Sequence, residues 1–160
     1  MALNSMDSRS DCSSHCFSFE QDFIGNWRCI PLCVRRKLDL VGIKLKLNHW
    51  LALEQQQRQQ LVDWSDASTE WARFRKHLRE LTVGMADGVA MDMPPAVDEP
   101  WQCMDQVPVA IAEAADQRGV VLNAEAWSGL SELARFALCK LARPGHDHHN
   151  LDAAFTELLG

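Results

Sequence analysis

The sequence is short of positive charge and has no long apolar run. Its 160 residues carry 16 Lys and Arg against 22 Asp and Glu, a formal net charge of −6. A negatively charged protein gains nothing from counterion release at a phosphate backbone, so we expect no nucleic-acid partner unless a local basic patch outweighs the whole. Nowhere do 18 apolar residues follow one another, and the first residues lack the apolar run of a signal peptide. We therefore expect a cytoplasmic protein with no membrane partner, starting at Met1 or Met6.

Enzyme signatures are absent as well. The chain has no glycine-rich phosphate loop, no nucleophile elbow and no H-E-x-x-H. We therefore predict no catalytic residue and no cofactor.

The thiols and histidines are the candidate metal ligands. Cys29 and Cys33 would lie one turn apart at a helix start, where free N–H groups lower a thiol pKa, so Cys29 is a candidate reactive or ligating thiol. The C-x3-C spacing is not usual for structural zinc, and reduced cysteines with Cys33 in the core are the favoured interpretation. Adjacent histidines in HDHH, residues 146–149, cannot all face one ion, and we interpret them as a solvated loop. We therefore predict no metal site.

Three amphipathic helices are predicted before residue 86. The first begins at Pro31, where a missing N–H is tolerated, and ends at Gly42, which supplies a left-handed stop. The second runs through HWLALEQQQRQQLVDW with Asn48 as its N-cap. The third is STEWARFRKHLRELTVGM, capped by Ser68 or Asp66.

Two segments lack helical periodicity. The residues IKLKL at 43–47 alternate like a strand, but a pairing with GVVL at 119–122 would be isolated, so we predict extended loops at both places. Residues 87–107 are rich in proline and acidic residues, which predicts a long connecting loop. Within this loop, Trp101 is expected to pack against the core.

The second half of the chain repeats the pattern of the first. A shift of 77 residues superposes helix starts, helix stops and core positions. The matched pairs are Pro31 and Pro108, Asp39 and Asp116, Gly42 and Gly119, Leu45 and Leu122, Trp50 and Trp127, Leu53 and Leu130, Arg58 and Arg135, and Leu61 and Leu138. A last helix follows a predicted Asn150 cap.

These elements predict an all-α fold of about six helices in two pseudo-repeated three-helix units around a shared core. We expect a disordered tail at residues 1–16 and a single domain at 17–160. Its first unit spans about 17–86, and its second spans 108–160.

Two clusters of cations are interpreted as solvated helix faces. Arg35, Arg36 and Lys37 lie near the end of the first helix, and a second run, RFRKHLR at residues 73–79, lies on the third. Together they could form a basic patch, and a helix–turn–helix would then place one helix in the major groove of DNA. The net charge opposes that alternative.

The segment FSFEQDFIGNWRCIPLCVRRKLDLVGIKLKLNHWLALEQQQRQQLVDW, residues 17–64, resembles the nitrate reductase-associated protein family. The family pattern is roughly F-x-F-E-x-D-F, then R-C-I-P, V-R-x-K-L-D, G-[IV]-K-L and W, and this chain matches it in one register. The resemblance continues more weakly through EPW at residues 99–101 and W-x2-L-x4-RFAL at residues 127–138. After the Leu-Val-Asp step, many relatives carry proline and cysteine where this chain has Trp64, Ser65 and Asp66. Because that cysteine, as a second ligand or redox partner of Cys29, is missing here, a structural or contact role for Cys29 is favoured.

The resemblance implies a non-catalytic accessory, maturation or stabilising factor for cyanobacterial-type assimilatory nitrate reductase, acting through protein–protein interaction. Aromatic and Arg anchors ringed by charge are typical of docking surfaces. The candidate partner-binding residues are Phe19, Glu20, Phe23, Arg28, Cys29, Arg35, Lys37, Asp39 and Lys44. Two alternatives stay open: a metal- or cluster-handling chaperone using Cys29 and Cys33, and a DNA-binding regulator of nitrate assimilation genes.

Overall fold

The computed structural model describes residues 13–143 and 149–160, apart from the side chains of Asp22, Phe23, Asn26 and His149. The fold is mainly α, as predicted, with one small two-stranded sheet. The chain divides into two compact units. Unit 1 contains the described residues up to Cys16 together with Glu20–Ala96, and unit 2 contains Phe17–Phe19 and Val97–Gly160. The boundary lies inside the predicted connecting loop. The single domain at 17–160 and the shared core stay predictions.

Unit 1 is built from short helices and the small sheet. Its elements are α1 (Gln21–Ile24), α2 (Leu32–Val41), β1 (Ile43–Lys44), α3 (Leu47–Ala52), α4 (Gln55–Asp63), α5 (Trp71–Thr82) and β2 (Met91–Asp92), with single 3-10 turns at Gly25–Trp27 and Ser68–Glu70. A further 3-10 turn, Ser18–Glu20, precedes α1.

Unit 2 contains four α-helices among its described residues. They are α6 (Val109–Gln117), α7 (Ala124–Gly129), α8 (Glu132–Leu141) and α9 (His149–Leu159), and a 3-10 turn at Pro100–Gln102 precedes them. As expected, Trp101 in that turn is buried, and its ring meets Phe136 edge-on at 5.0 Å.

The limits of α2 follow from two special residues. Pro31 is the extended N-cap, so the helix begins at Leu32, one residue after the predicted start. Gly42 ends it with φ 75°, which confirms the predicted left-handed stop. A Cβ at Gly42 would lie 2.5 Å from the Met93 carbonyl oxygen, so only glycine allows the chain to pass so closely here.

The predicted second helix is in fact two helices. Leu53 and Glu54 are extended and separate α3 from α4, and Asn48 lies inside α3 and is not its N-cap. Each new helix start is closed by a side chain in its first turn. The Lys46 N–H donates to His49 Nδ1 at 3.0 Å, and the Glu54 N–H donates to Gln57 Oε1 at 2.8 Å.

The prediction of a loop at residues 43–47 is wrong for its first two positions. Ile43 and Lys44 pair antiparallel with Asp92 and Met91. The partner strand lies within the segment predicted as a structureless loop, which the period-two signal at 43–47 could not identify. The pairing continues in two further backbone bonds, from Met93 N–H to the Gly42 carbonyl and from Ala96 N–H to the Asp39 carbonyl, both 2.9 Å.

Helices in the two units begin at corresponding positions. The starts of α2, α3 and α4 at Leu32, Leu47 and Gln55 recur 77 residues later as those of α6, α7 and α8 at Val109, Ala124 and Glu132. Trp50 and Trp127 are both fully buried. That a duplication produced this register stays a prediction.

Candidate partner-binding region

The nine predicted partner-binding residues differ in exposure. Arg28, Arg35 and Lys44 are exposed, Cys29 and Asp39 are half-buried, and Phe19, Glu20 and Lys37 are buried. The side chain of Phe23 lies outside the described residues. Phe19 belongs to unit 2, where its ring stacks on Phe17 at 5.0 Å. The candidates described in unit 1 therefore separate into an exposed group and an interior group.

Glu20 is an interior residue that starts α2. It has no exposed surface, and its Oε1 accepts the Leu32 backbone N–H at 2.8 Å. Pro31, the N-cap, has no side chain that could accept this bond, so a carboxylate from 12 residues earlier caps the helix. Its negative charge also favours the positive end of the helix dipole.

Lys37 is an interior residue of α2 whose side chain caps the C-terminal end of α4. Its side chain is 2 % exposed, and Nζ donates to the carbonyls of Leu61 at 2.8 Å, Val62 at 2.6 Å and Trp64 at 2.9 Å. The three bonds use all three N–H donors of an ammonium. Burial lowers the pKa of Lys37 to about 8. The interpretation of residues 35–37 as a solvated face is wrong for Lys37, and also for Arg36, which is buried and pairs with Asp66 at 2.8 Å.

The thiol neighbour of Cys33 is Cys16. Cys33 is fully buried in the first turn of α2, and its S–H donates a hydrogen bond to Cys16. That bond lowers the pKa of Cys16 and raises that of Cys33. Cys29 lies before the N-cap of α2, outside the helix that the predicted pair required. Among residues 13–143 and 149–160, no three His, Cys, Asp or Glu residues come together as a metal site would need. The HDHH segment lies outside the described side chains.

The exposed cations Arg28 and Arg35 lie close to the backbone that precedes α2. Arg28 Nε donates to the Gly25 carbonyl and Arg35 Nε donates to the Ile30 carbonyl, each at 3.2 Å. These bonds hold the inner part of each guanidinium, while the side chains remain exposed to solvent. Both cations can therefore contact a partner without a large loss of side-chain entropy.

Exposed apolar side chains accompany Lys44 at the small sheet. Met91, 66 % exposed, is the strand partner of Lys44, and Val89 precedes it by two residues. The Val89 segment is connected to α3, because His49 Nδ1 accepts the Lys46 N–H and its Nε2–H therefore donates to the Gly88 carbonyl at 2.7 Å. We call the exposed set Lys44, Leu47, Val89 and Met91 the sheet surface.

Sequence reasoning missed three of the four residues of the sheet surface. The alternation at 43–47 did carry the signal for Lys44, since Ile43 and Leu45 are buried while Lys44 and Lys46 are exposed. No local pattern marks Met91, because it becomes part of the surface only through pairing with a strand 47 residues earlier.

The arrangement defines a mainly helical protein with basic and apolar side chains exposed at the two-stranded sheet. None of the helices in its described parts is both long and apolar enough to cross a bilayer. A family model described as conserved nitrate reductase-associated protein matches residues 16–158, so the chain belongs to that family. No curated protein and no solved structure matches the chain.

Proposed function

We propose that this protein is a non-catalytic accessory, maturation or stabilising factor of assimilatory nitrate reductase that acts by binding the enzyme. Family membership over residues 16–158 carries the proposal, because the family is described by its association with nitrate reductase. The sheet surface supports it, since exposed apolar side chains beside a cation suit protein docking.

The sheet surface is held in a fixed conformation. Its Val89 segment is held by the His49 bond at Gly88 and by the Ala90 N–H, which donates to Thr82 Oγ1 at 2.8 Å. Thr82 Oγ1 in turn donates to the Leu78 carbonyl at 2.8 Å. A surface ordered in advance loses little conformational entropy on binding, which favours affinity.

The charges favour an acidic partner surface. The chain has a net charge of −6, so Lys44, Arg28 and Arg35 are local exceptions on an acidic protein. We therefore expect the reductase to present an apolar patch with carboxylates around it, because like charges across an interface are unfavourable and opposite charges speed association.

The first test is nitrate reductase activity with an artificial electron donor, in cells that express the reductase with and without this protein. We expect activity to fall when the protein is absent, because the enzyme is then incompletely matured or unstable. Equal activity and equal reductase abundance in both strains would contradict the proposal.

A second test examines the surface by capture of the reductase on the immobilised protein. The pair Lys44→Glu with Met91→Asp should reduce capture at least about tenfold, because it removes an apolar contact and reverses a charge. The matched control is Arg143→Glu with Val121→Asp, which makes the same chemical changes at exposed positions of unit 2. If both pairs of substitutions reduce capture equally, or if neither reduces it, the interface does not lie at the sheet surface.

Lys37 is not suitable for such a test. A charge reversal at this buried residue would leave three helix-end carbonyls facing a carboxylate. Arg28→Glu with Arg35→Glu tests the exposed cations instead, with circular dichroism as the control for folding.

The two alternatives have less support. The Cys29 and Cys33 chaperone needs accessible thiols, whereas Cys33 is fully buried. For DNA binding, two cations of the α5 run are occupied in ion pairs, Arg73 with Glu70 and Arg79 with Asp92.

A further inference from the structure

Unit 1 contains two thiols that are close together in space and unlike in exposure. Cys33 has no exposed surface, whereas Cys16 is half-buried, and a side-chain hydrogen bond from the Cys33 S–H joins them. The two residues are 17 positions apart in the sequence, Cys16 before α1 and Cys33 in the first turn of α2. The hydrogen bond places the two sulfur atoms near each other while both are reduced.

The surroundings give the two sulfurs different chemistry. The S–H donated by Cys33 stabilises a thiolate at Cys16 and lowers its pKa, and the Lys37 ammonium acts in the same direction. Burial of Cys16 and the carboxylates of Glu20 and Asp63 oppose this effect. Cys33 is held as the thiol by the same bond and by burial. One sulfur is thus partly accessible to solvent, and the other is shielded beside it.

The segment that carries Cys16 is anchored to unit 1. Ser13 is buried, and its hydroxyl donates to the Trp64 carbonyl at 3.5 Å, the same carbonyl that accepts from Lys37 Nζ. Residues 13–16 fall in the predicted disordered tail, but in the structure they pack where α4 ends. Residues 1–12, the rest of that predicted tail, lie outside the described residues. Cys16 is therefore held next to Cys33 by contacts other than the thiols themselves.

We propose that Cys16 and Cys33 form a reversible intramolecular disulfide by exchange with low-molecular-weight disulfides of the glutathione type. The Cys16 thiolate attacks one sulfur of the small disulfide, whose S–S bond breaks and releases one small thiolate, which takes up a proton. The Cys33 sulfur then attacks the Cys16 sulfur of the mixed disulfide, and the Cys33 proton passes to the second small thiolate, which leaves as a thiol. Two protein thiols are oxidised and one small disulfide is reduced to two thiols, so no other oxidant is needed.

The new bond would close the chain from Cys16 to Cys33 and fix the 13–16 segment to α2. Closing a loop of this length restricts the unfolded chain, so the oxidised protein should unfold at a Tm at least about 5 °C higher than the reduced protein. The loop also contains Arg28 and Cys29.

The experiment treats the folded full-length chain with glutathione disulfide, alkylates the remaining thiols and maps the crosslink by peptide mass spectrometry. We expect two fewer alkylated cysteines than in the reduced chain, and a peptide joining Cys16 to Cys33. A Cys12→Ser background removes the other thiol near the N-terminus, and Cys29→Ser is the matched control that should leave the crosslink intact.

Single variants test the order of attack. In Cys33→Ser the glutathione adduct should accumulate on Cys16, because nothing resolves it. In Cys16→Ser the buried Cys33 should stay reduced. If Cys33→Ser loses its helical circular dichroism, Cys33→Ala, which adds no polar group to the core, replaces it. The proposal is overturned if Cys16 stays fully alkylatable in the folded wild type, if the crosslink joins Cys29 or another cysteine, or if no adduct forms when Cys33 is replaced.

Discussion

Units 1 and 2 carry the same pair of side chains at corresponding positions, a buried tryptophan and an arginine that bonds to backbone carbonyls. The indole N–H of Trp50 donates to the Trp27 carbonyl at 2.7 Å, and that of Trp127 donates to the Cys103 carbonyl at 2.8 Å. Each tryptophan lies on a six-residue helix that ends at an extended leucine. Both indoles therefore satisfy backbone carbonyls, and this role in folding explains why tryptophan recurs at the two corresponding positions.

Both arginines donate to backbone carbonyls. Arg58 donates to the carbonyls of Trp50 at 3.1 Å and Leu51 at 3.0 Å, and Arg135 donates to those of Trp101 at 3.0 Å and Leu130 at 2.5 Å. They differ in burial, since Arg135 is 3 % exposed whereas Arg58 is only half-buried. The carbonyls that accept from Arg135 therefore have less access to water as a replacement donor.

The units differ most where the next helix ends. In unit 2, α8 ends on backbone bonds, with the Ala142 N–H donating to the Leu138 and Lys140 carbonyls. In unit 1, Trp64 turns extended after α4, and the Lys37 ammonium takes the carbonyls instead. The residue 77 positions after Lys37 is Ala114, which cannot do this. A buried cation in unit 1 thus replaces a backbone cap in unit 2.

Replacing Lys37 should give the largest effect. Lys37→Met keeps the apolar stem but leaves three carbonyls without a donor, and we expect the free energy of unfolding to fall by about 3–5 kcal/mol. Urea unfolding followed by circular dichroism measures it. Lys44→Met, at an exposed lysine of the same unit, is the control and should change stability by less than about 0.5 kcal/mol. A loss below about 1 kcal/mol for Lys37→Met would mean that water can replace the ammonium.

The two arginines should differ in proportion to their burial. Arg135→Met should cost about 3 kcal/mol and Arg58→Met about 1 kcal/mol, since an unpaired carbonyl in the interior loses its full hydration. The Arg58→Met variant also loses the contact between the guanidinium and the Trp50 ring, whose centroid lies 5.9 Å from the guanidinium carbon. The same unfolding experiment compares the two variants, and equal losses would contradict the assigned role of burial.

Local sequence signals predicted the helix ends that depend on local chemistry. Gly42 stops α2 because a left-handed residue is needed there, and Trp50 and Leu61 are buried as the apolar stripe predicts. The break at Leu53 and Glu54 was missed because neither residue is a helix breaker. It is stabilised from a distance by Arg58, whose bonds to the preceding helix no propensity scale contains.

The exposure of the candidate residues was predicted in part for the same reason. A charged residue in a sequence is assigned to the surface by default, which holds for Arg28, Arg35 and Lys44. It fails for Glu20 and Lys37, whose partners are backbone groups 12 and 24 residues or more away. The exposure of Met91 depends on strand pairing and could not be predicted from its neighbours.

The pH dependence of stability gives the smallest expected difference between Lys37 and an uncharged control. Burial lowers the pKa of Lys37 from 10.5 to about 8, so above pH 8 the unfolded chain binds more protons than the folded one. Stability contributed by Lys37 therefore rises with pH in this window, by about 1 kcal/mol between pH 8 and 9. The measurement is the difference in unfolding free energy between wild type and Lys37→Met at each pH, which cancels the titration of the other groups common to both. A difference that stays flat would mean that the three carbonyl bonds keep Lys37 protonated, and one that falls would contradict the lowered pKa.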